Sequence, residues 1–191
     1  MDQIAADSDQ SPLCTALWQR SVGVYGQSGV QAACLQLQTD YQVSVSVLLT
    51  LIGMPLFGHR ALAEDEMDSV LSRAEVWQTR IIEPLRGVRR QLKANTPAPI
   101  ETSVRGLRAA VLSNEIEAER HQQALLIADY CARINGSLDI AETPSDRATA
   151  LRASKLNAER YFAHIGAESA AGSGAYATLI EALGEDEPSA S

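Results

Sequence analysis

The sequence has few aromatic and cysteine residues, and it lacks the common catalytic motifs. Aromatic side chains make up 5% of the 191 residues, whereas alanine and leucine are abundant, and this composition favours helices over sheets. Cys14, Cys34 and Cys131 are widely spaced and odd in number, which is typical of buried thiols in a reducing compartment and not of disulfides or a CxxC zinc site. P-loop, GxSxG, GxGxxG and HExxH patterns are absent from the sequence.

The chain also lacks a long hydrophobic run and an excess of positive charge. Its most apolar segment, Val43–Phe57, has no charged residue but is shorter than the roughly 20 apolar residues that a membrane span needs. The N-terminus has neither the basic nor the apolar region of a signal peptide. A net charge of −8 and a pI near 4.9 disfavour non-specific binding to nucleic acid or anionic membranes. We therefore expect a cytoplasmic protein with no membrane span and no nucleic-acid partner.

The apolar segment predicts the centre of the fold. Its first residues alternate valine and serine as a strand would, but Val47, Leu48, Leu51 and Ile52 recur at helical spacing. A single strand would have no partner, because the sequence offers no second strand candidate. We interpret the segment as a central helix, ended or kinked by Gly53 and Pro55.

Amphipathic patterns around this segment predict an all-α, single-domain bundle of six or seven helices. We expect residues 1–11 to be disordered, residues 12–166 to form the helical domain and residues 167–174 to be a linker. A short amphipathic helix then covers 175–183, and a disordered acidic tail covers 184–191.

The C-terminal half of the sequence predicts an antiparallel helical hairpin. Residues 100–134 form a long helical pattern that is either one helix or two, with weak points at Gly106 and at Ser113 and Asn114. Thr143 with Pro144 marks the start of the next helix over 144–165. The short connection predicts that the two pack side by side. In the first helix, small, apolar and two polar residues follow a heptad seam. The predicted seam is Val104, Leu107, Val111, Asn114, Ala118, His121, Leu125, Ala128 and Ala132.

Residues in the N-terminal two thirds resemble a known family. The matching positions are Leu17, Trp18, Ser21, Tyr25, Gly29, Val30, Ala33, Cys34, Leu35, Leu37, Gln38, Trp77, Pro84, Leu85, Arg86, Arg89, Arg90 and Lys93. This pattern is similar to an uncharacterised proteobacterial family, domain of unknown function 2390, over about residues 13–130. The resemblance implies a small, soluble, bacterial helical protein. It implies no activity and no catalytic residues.

A basic cluster is the sharpest local feature. Arg86, Arg89, Arg90 and Lys93 recur at spacings of three and four, so they share one helical face. Arginine donates two parallel hydrogen bonds to phosphate or carboxylate, and the cluster therefore suits an anion or an acidic partner. The alternative is a solvated face that pairs with the acidic remainder of the chain.

A metal site is the alternative use of the predicted hairpin. Pairing of its helices would bring Glu159 near His121, and His164 near Glu115, with Glu117 one turn from His121. The Glu-x-x-His pairs of di-iron bundles are absent, since residue 118 is alanine. We interpret His121 as a core histidine instead, and we predict no cofactor.

The sequence thus favours a non-enzymatic role. We expect an interaction or accessory protein that contacts a protein partner through the Arg86–Lys93 face, the C-terminal helix, or both. The C-terminal apolar stripe of Tyr176, Leu179, Ile180 and Leu183 fits docking either on the parent domain or on a neighbour. The alternative function is a metal-dependent helical enzyme or metal-binding protein that uses Glu117, His121, Glu159 and His164.

Overall fold

A computed structural model of the protein describes residues 11–139 and 146–184, and within these ranges it contains helices and no strand. The helices are α1 (Pro12–Tyr25), α2 (Val30–Tyr41), α3 (Val45–Gly53), α4 (Glu64–Trp77), α5 (Glu83–Ala94), α6 (Glu101–Ile134), α7 (Arg147–His164) and α8 (Gly174–Gly184). A π-helical turn, Gln78–Ile82, joins α4 to α5 without a break. We call this continuous unit the α4–α5 rod. Counted with the rod as one helix, the described residues form seven helices, which confirms the predicted all-α fold.

The uncharged segment is the centre of the bundle, as predicted. In α3 every residue from Val47 to Gly53 is buried, and α1, α6 and α7 all pack against it. The α-helix ends at Gly53 and continues as a 3-10 turn over Met54–Phe57, because the proline at position 55 cannot supply the next backbone donor. Helices α1, α6 and α7 thus enclose the apolar side chains of this helix from Val47 onwards.

The antiparallel hairpin lies elsewhere than predicted. Helix α6 pairs with the α4–α5 rod: Arg133 Nη2 donates to Ser69 Oγ (2.7 Å) and Arg73 Nε donates to Asp129 Oδ2 (2.8 Å). The residue numbers of the contacting partners rise along the rod while they fall along α6, which shows that the two helices are antiparallel. The short connection Asn95–Ile100 therefore joins the two members of the hairpin.

The predicted pairing of residues 100–134 with 144–165 is corrected accordingly. Helix α7 packs mainly on α3 and on the 3-10 turn that follows it. It reaches α6 through Asn157, whose side-chain amide donates to Tyr130 Oη and to the Leu51 carbonyl, each at 2.8 Å. The apolar α3 occupies the space between α6 and α7, because burying it from both sides removes more apolar surface from water than direct pairing would.

The predicted heptad seam of α6 is also wrong. Leu107 is 53% exposed, and Asn114 lies on the surface, whereas Gln122 and Gln123 are buried. Gln122 accepts from Ser46 Oγ (2.8 Å) and donates to the Ala74 carbonyl (2.9 Å). Buried amides are tolerated where their hydrogen bonds are made. The face of α6 that carries Gln122 and Gln123 therefore packs on the core in place of the predicted seam.

The C-terminal helix docks within the chain. Helix α8 packs along α2 and buries Tyr176, Leu179 and Leu183. The segment between α7 and α8 contains a 3-10 turn, Glu168–Gly172. This arrangement removes the C-terminal apolar stripe as a surface for a partner.

Some sequence predictions lie outside the described residues: the disordered terminus over 1–10, the tail over 185–191, and the helix start at Thr143 and Pro144. Within the described residues, α7 begins after Asp146, whose carboxylate accepts a hydrogen bond from the backbone amide of Ala148 (3.0 Å).

Among the described residues no single helix is both long and apolar enough to cross a membrane. One bent pair, Val30–Tyr41 with Val45–Phe57 at 116°, reaches that length and composition only when the two are taken together.

Candidate functional site

A groove of about 610 Å³ separates the N-terminal helices from one end of the hairpin. Helices α1 and α2 and the start of α3 form one wall, and α5 and α6 form the other. The side chains that line it are Trp18, Ser21, Val22, Tyr25, Gln31, Cys34, Leu35, Gln38, Val45, Ser46, Leu49, Arg86, Arg89, Arg90, Leu112, Glu115, Ile116, Glu119 and Gln123. The volume is in the range of ligand-binding clefts.

Both walls of the groove expose apolar side chains to solvent. Val22 and Leu35 are 55% and 51% exposed on one wall, and Leu112 and Ile116 are 43% and 45% exposed on the other. Ten large hydrophobic side chains are exposed in the described residues, so four of them face one cleft. Clustered apolar surface of this kind marks interaction sites, whereas single exposed hydrophobics are ordinary.

An arginine–glutamate network connects the two helices that form the α5–α6 wall. Glu115 is buried and receives Arg89 through two bonds, Nε to Oε2 (2.6 Å) and Nη2 to Oε1 (3.1 Å). Arg86 donates from Nε to Glu115 Oε1 (3.1 Å) and from Nη2 to Glu119. Burial raises the pKa of Glu119 above its ordinary value, although the Arg86 charge acts in the opposite direction. The network therefore ties α5 to α6 by charge-assisted hydrogen bonds.

The network changes the meaning of the predicted basic cluster. Arg86 and Arg89 lie on one face, as the spacing predicted, but they are bound to α6 carboxylates and are not free for a partner. Arg90 differs, since its side chain is 68% exposed and its guanidinium is 3.9 Å from Glu83. Such an exposed and distant pair contributes little energy. Lys93 is exposed and lies near the far end of the hairpin.

The floor of the groove is polar, but its side chains are not activated for catalysis. The Gln123 amide is 3.4 Å from Ser21 Oγ and 3.3 Å from Thr50 Oγ1. Cys34 also lines the groove, and burial raises the pKa of its thiol to about 11. A thiol with that pKa is protonated at neutral pH, and the thiolate is the nucleophilic form. The floor supplies hydrogen bonds and no activated nucleophile.

The four residues of the alternative metal site are not brought together. His121 lies edge-on to Trp77, with ring centres 6.4 Å apart, and its Nε2 is 3.6 Å from Glu117. Its side chain is 43% exposed, so the expectation of a core histidine is wrong. His164 contacts α4 instead, with Nδ1 2.8 Å from Asp68 and Nε2 2.6 Å from Glu75.

Glu115, the other carboxylate expected near His164, is bound by the arginines. Within residues 11–139 and 146–184, no group of three or more histidine, cysteine, aspartate or glutamate side chains could hold a metal.

Sequence reasoning missed the apolar walls of the groove. Leu112 and Ile116 are one helical turn apart, but they fall outside the predicted seam, and the pattern gave no reason to single them out. Val22 and Leu35 lie on two different helices that turn the same side to the cleft. The signal was present as apolar residues off the buried stripe, but only the packing shows that the two pairs face each other.

Comparison with known proteins identifies a family. A family model described as "Protein of unknown function (DUF2390)" matches residues 16–126. This range contains every side chain that lines the groove. No curated protein and no solved structure matches the chain.

Proposed function

The chain belongs to the DUF2390 family of proteins of unknown function, and from that premise we propose that it is a non-enzymatic interaction protein whose groove receives an amphipathic helix of a partner protein. The exposure of Val22 and Leu35 opposite Leu112 and Ile116 is the observation that carries the proposal. In this proposal the protein acts in the bacterial cytoplasm as an accessory factor.

The apolar walls suit a helix more than a small ligand. A helix with side chains about 10–12 Å in diameter would contact both walls at once and place apolar residues at i, i+3 or i+4 and i+7 between them. The four side chains are about half exposed and lose contact with water when such a helix binds. Each therefore contributes about half of the roughly 1.5–3 kcal/mol that full burial of an aliphatic side chain gives. The polar floor would leave room for bridging water.

Arg90 defines the charge that the partner should carry. It lines the groove and is mostly exposed, so an acidic residue beside the partner's apolar face can pair with it. Rim charges of this kind change the rate of association and its salt dependence more than the final affinity. Arg86 and Arg89 instead hold the wall in place.

The apolar contact is tested by the double variant Leu112→Glu, Ile116→Glu. A photo-crosslinking amino acid at Val22 should capture one protein in cells that carry the otherwise unchanged chain. The double variant should lose that crosslink about tenfold or more, because two carboxylates would be buried without partners. Val76→Glu is the matched control, since Val76 is 52% exposed and lies outside the groove.

Two results would contradict the proposal. One is an equal crosslink from the double variant when circular dichroism shows it to be folded. The other is an equal loss from Val76→Glu.

Arg90→Glu should weaken capture at low salt and have less effect at high salt. Arg86→Glu is not a suitable variant for this purpose, because it disrupts Glu115 and Glu119 within the fold.

A further inference from the structure

A second, smaller pocket lies at the end of the hairpin. Its volume is about 80 Å³, and it lies between the end of α5 and the first turns of α6. Lys93 and Thr96 line it from one side, and Glu101, Arg105 and Arg108 line it from the other. The space holds several water molecules or one small anion, but not a drug-sized ligand. We call residues 92–108 the tip.

The cations at this pocket have no partner within the described residues. Arg86 and Arg89, a few residues away, are each bound to carboxylates. By contrast, Lys93, Arg105 and Arg108 take part in no hydrogen bond or ion pair among residues 11–139 and 146–184. Glu101 is the single carboxylate that lines the pocket, so the four charges leave a net +2.

The tip is basic in an acidic protein. Residues 92–108 contain three of the 16 lysines and arginines and one of the 24 acidic residues, which gives the tip +2 and the rest of the chain −10. No residue of α5 is buried, and the first buried residue of α6 is Glu115. Residues 101 to 108 are about 10–21 Å along the helix from Glu115, which exceeds the Debye length of about 8 Å in physiological salt. The carboxylates from Glu115 onwards therefore neutralise the charge of the tip only weakly.

We propose that the tip binds a phosphate group. Arg105 and Arg108 are three residues apart on α6 and so share a face, and a guanidinium matches phosphate oxygens with paired hydrogen bonds. Lys93 adds a point charge from α5. The net +2 of the pocket balances a phosphate monoester, which carries close to two negative charges at neutral pH. A carboxylate would leave one cation unpaired.

The same chemistry is offered by a free phosphate or phosphomonoester and by the headgroup of an acidic phospholipid. Ile100 and Leu107, 48% and 53% exposed, belong to the same tip and could contact a lipid surface. Two arms of one experiment separate these sources. The first is titration with inorganic phosphate against chloride at equal ionic strength. The second uses vesicles of phosphatidylcholine with and without phosphatidic acid.

In the first arm, amide NMR shifts of residues 92–108 should move with inorganic phosphate and saturate. Arg105→Gln and Arg108→Gln should each weaken binding about tenfold, since each variant removes a charge-assisted hydrogen bond to the phosphate. Both side chains are exposed, so the variants should fold as the unaltered protein does. Arg80→Gln is the matched control, because Arg80 is exposed on the α4–α5 rod and does not line the pocket.

Saturable binding in either arm that depends on Arg105 and Arg108 supports the site, and binding to phosphatidic acid vesicles alone identifies the lipid headgroup as its source. The proposal is overturned if neither probe binds. It is also overturned if Arg80→Gln weakens binding as much as the tip variants, since that would show general charge attraction. The groove variants Leu112→Glu and Ile116→Glu should leave phosphate binding unchanged, so the two proposals fail or stand separately.

Discussion

Glu115 is the residue on which the α5–α6 wall of the groove depends. It is 5% exposed, and two arginines from α5 converge on its carboxylate. Removing a charge from water is unfavourable unless it is paired and hydrogen-bonded. Here both oxygens of Glu115 accept hydrogen bonds from guanidinium groups, so the carboxylate and the arginines each provide the hydrogen-bond partners that the other needs. Losing it would leave Arg86, whose side chain is 13% exposed, with one fewer partner in a poorly solvated place.

Glu115→Ala should therefore lower the free energy of unfolding by about 3 kcal/mol, the usual cost of removing one member of a buried ion pair. Urea denaturation monitored by circular dichroism measures this value. Glu117→Ala is the control two residues away, with a side chain 55% exposed, and it should change stability by less than about 0.5 kcal/mol. Equal effects of the two substitutions would show that the network contributes no stability.

At the scale of the elements, the end of α3 fits closely against α1. A Cβ added at Gly53 would lie 2.4 Å from Leu17 Cδ1, well inside the contact distance of two carbon atoms. Leu17 is fully buried, so it has no free space to move into. The two helices approach closely because position 53 has no side chain.

Gly53→Ala should destabilise the protein by about 1–3 kcal/mol through overpacking, seen as a lower midpoint of thermal or urea unfolding. Gly106→Ala is the opposite case, because nothing lies within 4 Å of a Cβ at that position in α6. There alanine should stabilise the protein by about 0.5–1 kcal/mol, the helix preference of alanine over glycine. A stabilised Gly53→Ala variant would contradict the packing described for α3.

The elements show why the sequence predicted some parts of the fold and not others. The uncharged run identified α3 as central because no other segment of the chain has so few hydrogen-bonding side chains. The seam of α6 was wrong because Gln122 and Gln123 count as polar in any pattern, yet both are buried. Their partners, Ser46, Ala74, Ser21 and Thr50, are distant in sequence, and no local rule identifies them.

The candidate site, too, was predicted only in part from the sequence. Helical spacing correctly placed Arg86, Arg89 and Arg90 on one face, since that follows from local geometry. Whether an arginine is free or paired depends on which helix lies opposite, and α6 was expected to pair with α7. The sequence therefore predicted the cations but not the carboxylates that bind two of them.

At the scale of the whole molecule, His164 joins the C-terminal half to the α4–α5 rod. It lies in the last turn of α7, and its two ring nitrogens face Asp68 and Glu75 of α4. Burial alone would lower the pKa of His164, but the hydrogen bonds to Glu75 and Asp68 outweigh it and raise the pKa above the ordinary 6.5. The protonated ring is therefore favoured in the folded state.

A raised histidine pKa stabilises the fold at low pH and not at high pH. The advantage of the unaltered protein over His164→Gln should be complete at a pH below the pKa of about 6.5 that histidine has in the unfolded chain, and it should be lost as the pH rises through the raised pKa of the folded state. Both carboxylates are largely exposed, so the difference should be at most about 1 kcal/mol. Urea denaturation of both proteins across this range measures it.

The double variant Asp68→Asn, Glu75→Gln is the control for this effect. It keeps the histidine and removes the charges that raise its pKa, so its deficit relative to the unaltered protein should shrink over the same pH interval. A deficit of His164→Gln that grows as pH rises would contradict the ion-pair arrangement.

The π-helical turn at Gln78–Ile82 makes the orientation of the arginine wall depend on a residue count. Such a turn holds one residue more than the α-helix would, and each residue rotates the side chains that follow by about 100°. If the same residues were wound as a regular α-helix, every arginine would stay in the sequence, but Arg86 and Arg89 would point about a quarter-turn away from α6. The wall therefore depends on the phase of the helix as well as on its composition.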